Sequence, residues 1–327
     1  LSGIWRKVDY CQASGHSKTA GNHLMPRILL WALLLPSFLS SSLLFAQGAV
    51  ASKVVEVSAV DDQGNLVVLP GPAQRIISLA PNLTEVLFYV GAGEQIVGAD
   101  EYSNYPEQAK AIIRVNNHAV ANYELILSLE PDLIVAWESG NGEQIIGRIR
   151  ELGLPLFVLE TRKMDAIPNL FSRLGRLTGH DEIAVQKALE FTQRLEGLRE
   201  AYSDQPAVRT FYQIWNDPFI TLNGEHLVSD VIELCGGINI FGESIPLVPY
   251  VNIEAIMAAD PQVIIASGST KNNEQWRDSW KDWQGISAVT SGDIYLIPPD
   301  LMQRHSNRIL DGAEYMCDFL QRARTAG

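Results

Sequence analysis

The sequence predicts an α/β protein of two lobes, each built on a mostly parallel sheet, joined by one long α-helix. Three observations predict it. First, residues 122–136 (NYELILSLEPDLIVA) are echoed by residues 252–266 (NIEAIMAADPQVIIA), 130 positions further on. Nine of the fifteen positions match or are similar, with Asn, Glu and Pro among them. A unit repeated once at that distance argues for two related lobes. Second, short apolar runs alternate with amphipathic stretches in both halves, which is the signature of βα units and a parallel sheet. Third, Ala184, Ala188, Phe191, Leu195, Leu198 and Tyr202 recur at four- and three-residue spacing, an apolar stripe along one helix face.

Each element follows in order. Residues 53–69 read as a hairpin turning at Asp62-Gln63-Gly64-Asn65. RIISLA (75–80) reads as a strand, and Pro81 then opens a helix with Asn82 and Glu85 spaced as a capping box. Gly91-Ala92-Gly93 marks that helix's end. IVGAD (96–100), LIVAW (133–137) and LFVLE (156–160) complete the strands of the first lobe. In each echoed unit a short helix ends before Pro131 or Pro261, because proline disfavours helix at the residue before it. Asp181 is a helix N-cap and Pro206 a stop, so 181–203 reads as one helix of about 22 residues, spanning about 33 Å. Such a stiff link predicts small hinge motion. TFYQIW (210–215), VIIAS (263–267) and IYLIP (294–298) are strands of the second lobe. Trp276, Trp280 and Trp283 fall at helical spacing and read as a structural face packed on that lobe. The expected organisation is an N-terminal lobe at 53–163, a linking helical segment at 164–206 and a C-terminal lobe at 207–327, two Rossmann-like lobes in all.

The first 51 residues read differently. Residues 1–24 show no period and are taken as upstream sequence; the first methionine is Met25. From there Arg27, the apolar run ILLWALLL and the small residues before Ala46 and Ala51 describe a secretory signal peptide over 25–51, cleaved after Ala46 or Ala51. A retained anchor is the alternative. The run is broken by Pro36 and serines after eight residues, whereas a spanning helix needs about 20. Export predicts a periplasmic protein. It also changes the cysteine arithmetic: Cys11 is lost, leaving Cys235 and Cys317, either a disulfide in an oxidising compartment or two buried thiols.

Composition excludes some functions. The 327 residues carry 25 Lys+Arg against 38 Asp+Glu, a net charge of −13. Nucleic acid and anionic membranes both need a basic face, so neither is an expected partner. No nucleophile elbow, phosphate loop or paired-histidine helix is present, so no enzymatic role is expected. An exported protein with two like lobes points instead to a cleft that binds a solute. Open α/β sheets bind ligands at the carboxyl ends of their strands. There lie Tyr102, Trp137, Trp215, Phe219 and Tyr250, with Arg304 and His305 after the last strand. Taken singly each aromatic is ordinary core or surface. Together, aromatics and an arginine suit a flat ligand of mixed polarity.

The segments RIISLAPNLTEVLFYVGA, YSNYPEQA, NYELILSLEPDLIVAW, ELCGGINIF and RHSNRIL resemble the periplasmic vitamin B12-binding (BtuF-type) family, the solute-binding components of ABC importers. The likeness runs from about Arg75 to Leu320. It implies two lobes bridged by a helix, with cobalamin or a related corrinoid held between them as cargo and no other cofactor. It implies ligand contacts at Tyr102 and Trp137 and in the loop Asp300, Leu301, Met302, Gln303 and Arg304. It implies a disulfide between Cys235 and Cys317. Glu124 and Glu254, equivalent positions of the echoed units, are implied to dock the lobes onto the two permease subunits. The alternative for each Glu is a helix first turn favoured by the macrodipole. The family carries tryptophans where His118 and Val248 stand here; Tyr250 is the expected substitute for the second, and His118 joins the expected ligand set. A haem or ferric-siderophore binder of the same class, with Tyr102 and His118 as iron ligands, is the alternative. An enzyme on the same two-lobed fold comes third. The free protein is expected to be a monomer.

Overall fold

The computed structural model describes residues 55–117, 120–202, 204–267 and 273–326. The signal segment, its cleavage positions and His118 lie outside the described residues.

β1 (Val57–Val60) and β2 (Leu66–Leu69) pair antiparallel as the expected hairpin. Its turn closes on the Asp61 carboxylate, which accepts from the backbone N–H of Gln63 and Asn65. Gly64 sits there at φ +82, a left-handed conformation that costs glycine nothing.

The first lobe holds a five-stranded parallel sheet. Its strands are β3 (Ile76–Ser78), β4 (Ile96–Asp100), β5 (Arg114–Asn116), β6 (Leu133–Trp137) and β7 (Leu156–Leu159), in the order β5-β4-β3-β6-β7. Helices α1 (Pro81–Tyr89), α2 (Tyr123–Ser128) and α3 (Glu138–Glu151) connect them. Helix α4 (Ile167–Thr178) and the long α5 (Asp181–Tyr202) follow, the latter 22 residues long as expected. The chain reverses at Gly179, the left-handed C-cap of α4, and the two helices approach most closely where Gly175 meets the Ala184 side chain. Only glycine permits this approach.

The second lobe holds β8 (Val208–Gln213), β11 (Gly237–Asn239), β13 (Val263–Ser267) and β14 (Ile294–Ile297), parallel in the order β11-β8-β13-β14. Between them run β9 (Trp215–Asn216), β10 (Phe219–Ile220) and β12 (Tyr250–Val251), a small antiparallel sheet that periodicity did not announce. Helices α6 (Leu227–Leu234), α7 (Ile253–Ala259), α8 (Asn273–Asp278), α9 (Ser287–Ser291), α10 (Pro299–Met302) and α11 (Ile309–Ala326) complete the lobe. A disulfide joins Cys235, at the end of α6, to Cys317 in α11.

The core follows the period of two. Ile76, Leu133, Val135 and Phe157 of the first sheet share one apolar cluster with Val208, Tyr212, Val263 and Ile265 of the second. Phe191 and Leu195 of α5 belong to the same cluster. Burying either contributes about 2 kcal/mol. The alternate residues face outward clusters: Ile77, Ile134 and Val158 meet α3, while Phe211 and Ile264 meet Trp280. The linking helix is therefore a shared core element.

The echoed units agree bond by bond. Asn122 and Asn252 cap α2 and α7, accepting from the N–H of Leu125 and Ala255 at 3.0 and 2.9 Å. Glu130 and Asp260, each just before its proline, both take positive φ, 46° and 41°. An arginine caps each helix end: Arg75 Nε donates to Leu129 O and to Glu130 O, and Arg209 Nε to Asp260 O, the counterpart of Glu130.

Two expectations change. Ala80 is the N-cap of α1, with no side-chain cap bond. The Glu85 carboxylate accepts instead from Arg304, Ser306 and Arg308, so it is unavailable to the backbone. The tryptophan face does pack on the lobe, with Trp280 buried and Trp276 and Trp283 against the same cluster. It is not one helix, because α8 ends at Asp278. No helix among the described residues is long and apolar enough to cross a membrane.

Candidate functional site

The carboxyl ends of β3, β4 and β6 deliver Leu79 to Pro81, Asp100 and Tyr102, and Trp137 to one side of a cavity of about 440 Å³. From the other lobe α10 and the residue pair after it deliver Pro299, Asp300, Gln303 and Arg304. Five sequence-predicted residues therefore meet in one cleft: Tyr102, Trp137, Asp300, Gln303 and Arg304. The volume lies within the usual range for small-molecule sites.

The loops are held by polar side chains that sequence reasoning missed. Asn141 accepts from the Trp137 N–H at 2.8 Å and donates to Leu79 O at 2.7 Å, fixing the turn that carries the indole. Asn116 donates to Leu79 O and to Asp100 Oδ2, both at 2.9 Å. Asp100 Oδ1 accepts from the Tyr102 N–H at 2.8 Å. The available signal was position: Asn116 and Asp100 each end a strand, and Asn141 follows one.

Helical geometry sorts the loop 300–304. Asp300, Gln303 and Arg304 stand at i, i+3 and i+4 and share one face. Leu301 and Met302 take the other and join the shared core, Met302 fully buried. The Met302 sulfur lies 2.6 Å from where a Cβ on Gly312 would be. The cavity therefore does not receive Leu301 or Met302.

Strand alternation sorts the second-lobe aromatics. Trp215 and Tyr250 both pair with Ile220 across the small antiparallel sheet, so they stand on one face, 59% and 72% exposed. Phe219 is one residue away and points to the other face, where its ring meets Trp280 at 5.5 Å. Trp215 and Tyr250 do not line the cavity, and Phe219 supports the sheet that carries them.

Beneath the cleft lies His305, 3% exposed, its ring 5.2 Å from those of Trp137 and of His226 and edge-on to both. Burial pushes the His305 imidazole down to about 4, with a backbone contact at Thr161 opposing. Burial, and then the charge His305 would carry, push His226 down to about 3. His226 Nδ1 accepts from the Val228 N–H and caps α6, so its proton sits on Nε2. Both rings are neutral at neutral pH and behave as part of an apolar floor.

Glu124 and Glu254 are exposed, in the first turns of α2 and α7. A wider hollow of about 770 Å³ beside β5 includes Arg114, Tyr123 and Glu124. It contains none of the ligand residues expected among the described residues, so its size does not make it the site.

Comparison with known proteins places this geometry. Residues 76–301 match the family model of periplasmic binding proteins. The Vitamin B12-binding protein of Vibrio cholerae is 38% identical over 258 residues, covering 79% of this chain and 92% of that one. The crystal structure of the periplasmic vitamin B12-binding protein BtuF of Vibrio cholerae superposes with a TM-score of 0.73 at 38% identity, covering 77% of this chain and 98% of that one. The periplasmic haem-binding protein HutB of the same organism shares the fold at 18% identity, with a TM-score of 0.66 over 76% of this chain and 98% of its own. A mostly parallel two-lobed fold, strand-end residues gathered between the lobes and identity along nearly all of the described residues lead to one conclusion: the chain belongs to the periplasmic binding protein family, in its vitamin B12-binding (BtuF-type) group.

Proposed function

We propose that this protein captures cobalamin or a related corrinoid in the cleft between its lobes and delivers it unchanged to an ABC importer. One observation carries the reading. Tyr102 and Trp137 of one lobe face Asp300, Gln303 and Arg304 of the other, in a chain 38% identical to a Vitamin B12-binding protein. An indole and a phenol supply flat apolar area with a polar edge, and Asp300 and Gln303 supply charge and amide groups at the rim. A corrinoid with its nucleotide arm exceeds about 440 Å³, so the cavity holds one edge of the ligand. The exposed Trp215 and Tyr250 offer further stacking surface outside it. His118 belongs to the same proposed ligand set.

Several further roles belong to this reading. The corrinoid is cargo, not a cofactor, and the protein performs no catalysis on it. Glu124 and Glu254 dock on cationic groups of the two permease subunits, a twofold arrangement that matches the repeated lobes. The signal segment directs export to the periplasm, where the protein acts as a monomer. Absorbance titration of the purified protein with cyanocobalamin, haem and a ferric siderophore tests the ligand. A saturable, stoichiometric complex with cyanocobalamin, released chemically intact, is expected. Saturation by haem or the siderophore alone would replace the corrinoid reading with the alternative in which Tyr102 and His118 are iron ligands.

A further inference from the structure

At the junction of the two lobes the side chain of Glu85, in α1, is fully buried. Three side chains of the second lobe converge on it. Arg304 Nη1 donates to Oε1 at 2.7 Å, Arg308 Nη1 to Oε1 at 3.0 Å, and Ser306 Oγ to Oε2 at 2.6 Å. Arg304 then reaches along the first-lobe loop that carries Tyr102. Its Nη1 donates to Asn104 Oδ1 at 2.8 Å and its Nη2 to Tyr102 O at 3.2 Å, while Nη2 also pairs with Asp300 at 3.0 Å. The Arg308 guanidinium lies 4.0 Å over the ring of Tyr105 in the same loop.

Both terminal nitrogens of Arg304 are thus engaged by protein. A guanidinium already shared among Glu85, Asn104, Tyr102 and Asp300 has little left to offer a ligand. Its planar fork instead spans the lobes, with the fixed geometry that arginine provides and lysine does not. The charges balance locally, Glu85 and Asp300 against Arg304 and Arg308, which a buried ionic network requires.

We infer that Glu85 is a positioning residue: through Arg304, Ser306 and Arg308 it latches the two lobes together, sets the width of the cleft and holds Tyr102 and Asp300 in place. Arg304 is a cross-link of that latch and not a ligand donor. The inference rests on the cleft being the binding site, but its first test needs no ligand.

The experiment uses the exported chain with its disulfide intact, spin-labelled at Glu151→Cys and Lys281→Cys, exposed positions in the two lobes. Interlobe distances are measured without ligand, and cyanocobalamin association and dissociation rates are measured on the unlabelled protein. In Glu85→Gln the distance distribution should broaden. Dissociation should accelerate by about tenfold or more while association changes little, because loss of pre-organisation acts on the off-rate. A Glu85→Gln protein of lowered thermal stability with an unchanged distribution and an unchanged off-rate would overturn the latch. Should Glu85→Gln not fold, the double variant Ser306→Ala with Arg308→Gln decides, since it removes two of the three donors and keeps the Glu85–Arg304 pair. A distribution as narrow as the wild type's in that variant also overturns it. Failure of the wild type to bind cyanocobalamin sinks the ligand assignment alone, because the distance measurement stands without it.

Discussion

Replacing His305 with phenylalanine should remove a definite part of the protein's acid sensitivity. The ring sits between Trp137 and His226 with almost no exposure, and burial holds its pKa near 4 against an ordinary value near 6.5. As pH falls, the unfolded chain takes up a proton on this imidazole first and the folded chain resists. Stability from the neutral ring is complete above about pH 6.5 and is lost as pH falls toward about 4. Between about pH 7 and about pH 4.5 the linkage amounts to about 2 kcal/mol. Phenylalanine fills the same slot and cannot titrate. Urea unfolding of both proteins at the two pH values supplies the assay, and the quantity read is the difference of differences, which cancels any constant cost of the substitution. The wild type should lose about 2 kcal/mol more than the variant on acidification. His226 is held low first by its own burial, which persists in both proteins, and second by the charge His305 would carry, which the variant removes. Parallel losses in the two proteins would refute the claim that His305 is a neutral, desolvated element of the fold.

The other predictions concern binding, docking and the cross-link. Trp137→Ala should weaken cyanocobalamin binding by about tenfold or more in an absorbance titration, as expected for loss of one stacking surface. Trp283→Phe, which packs in the outward cluster of the second lobe, should leave binding unchanged. Charge reversal at Glu124 and Glu254 together should preserve corrinoid affinity and reduce uptake in reconstituted vesicles; undiminished uptake would remove their docking role. The double variant Cys235→Ala, Cys317→Ala opens a loop with a sequence separation of 82. It should lower unfolding free energy by about 4 kcal/mol on the loop-entropy estimate, read from the urea midpoint.

Much of the scaffold was legible because it is written locally. IVGAD, LIVAW and VIIAS became strands at the expected residues, since continuous apolar runs of this length suit a sheet covered on both faces. The stripe from Ala184 to Tyr202 became the long helix because its spacing is the helical one. The two-residue strands β9, β10 and β12 escaped because so short a segment has no period to read. The capping-box reading of Glu85 used a valid local rule, and a stronger non-local partner overrode it. In the loop 300–304 the family resemblance implied ligand contact for all five. One helical turn was enough to turn two of them inward.

What the sequence determined by itself is therefore the set of parts: repeated units with matching Asn caps, a linking helix, and polar and aromatic residues at strand ends. Local spacing sets these, because side chains two, three or four positions apart must share a face. Only the tertiary structure decided which parts meet. Glu85 and Arg304 are 219 positions apart, and no periodicity relates them. Their pairing exists because burial at the junction leaves a carboxylate no water to turn to. The charges that reach it then hold one lobe against the other.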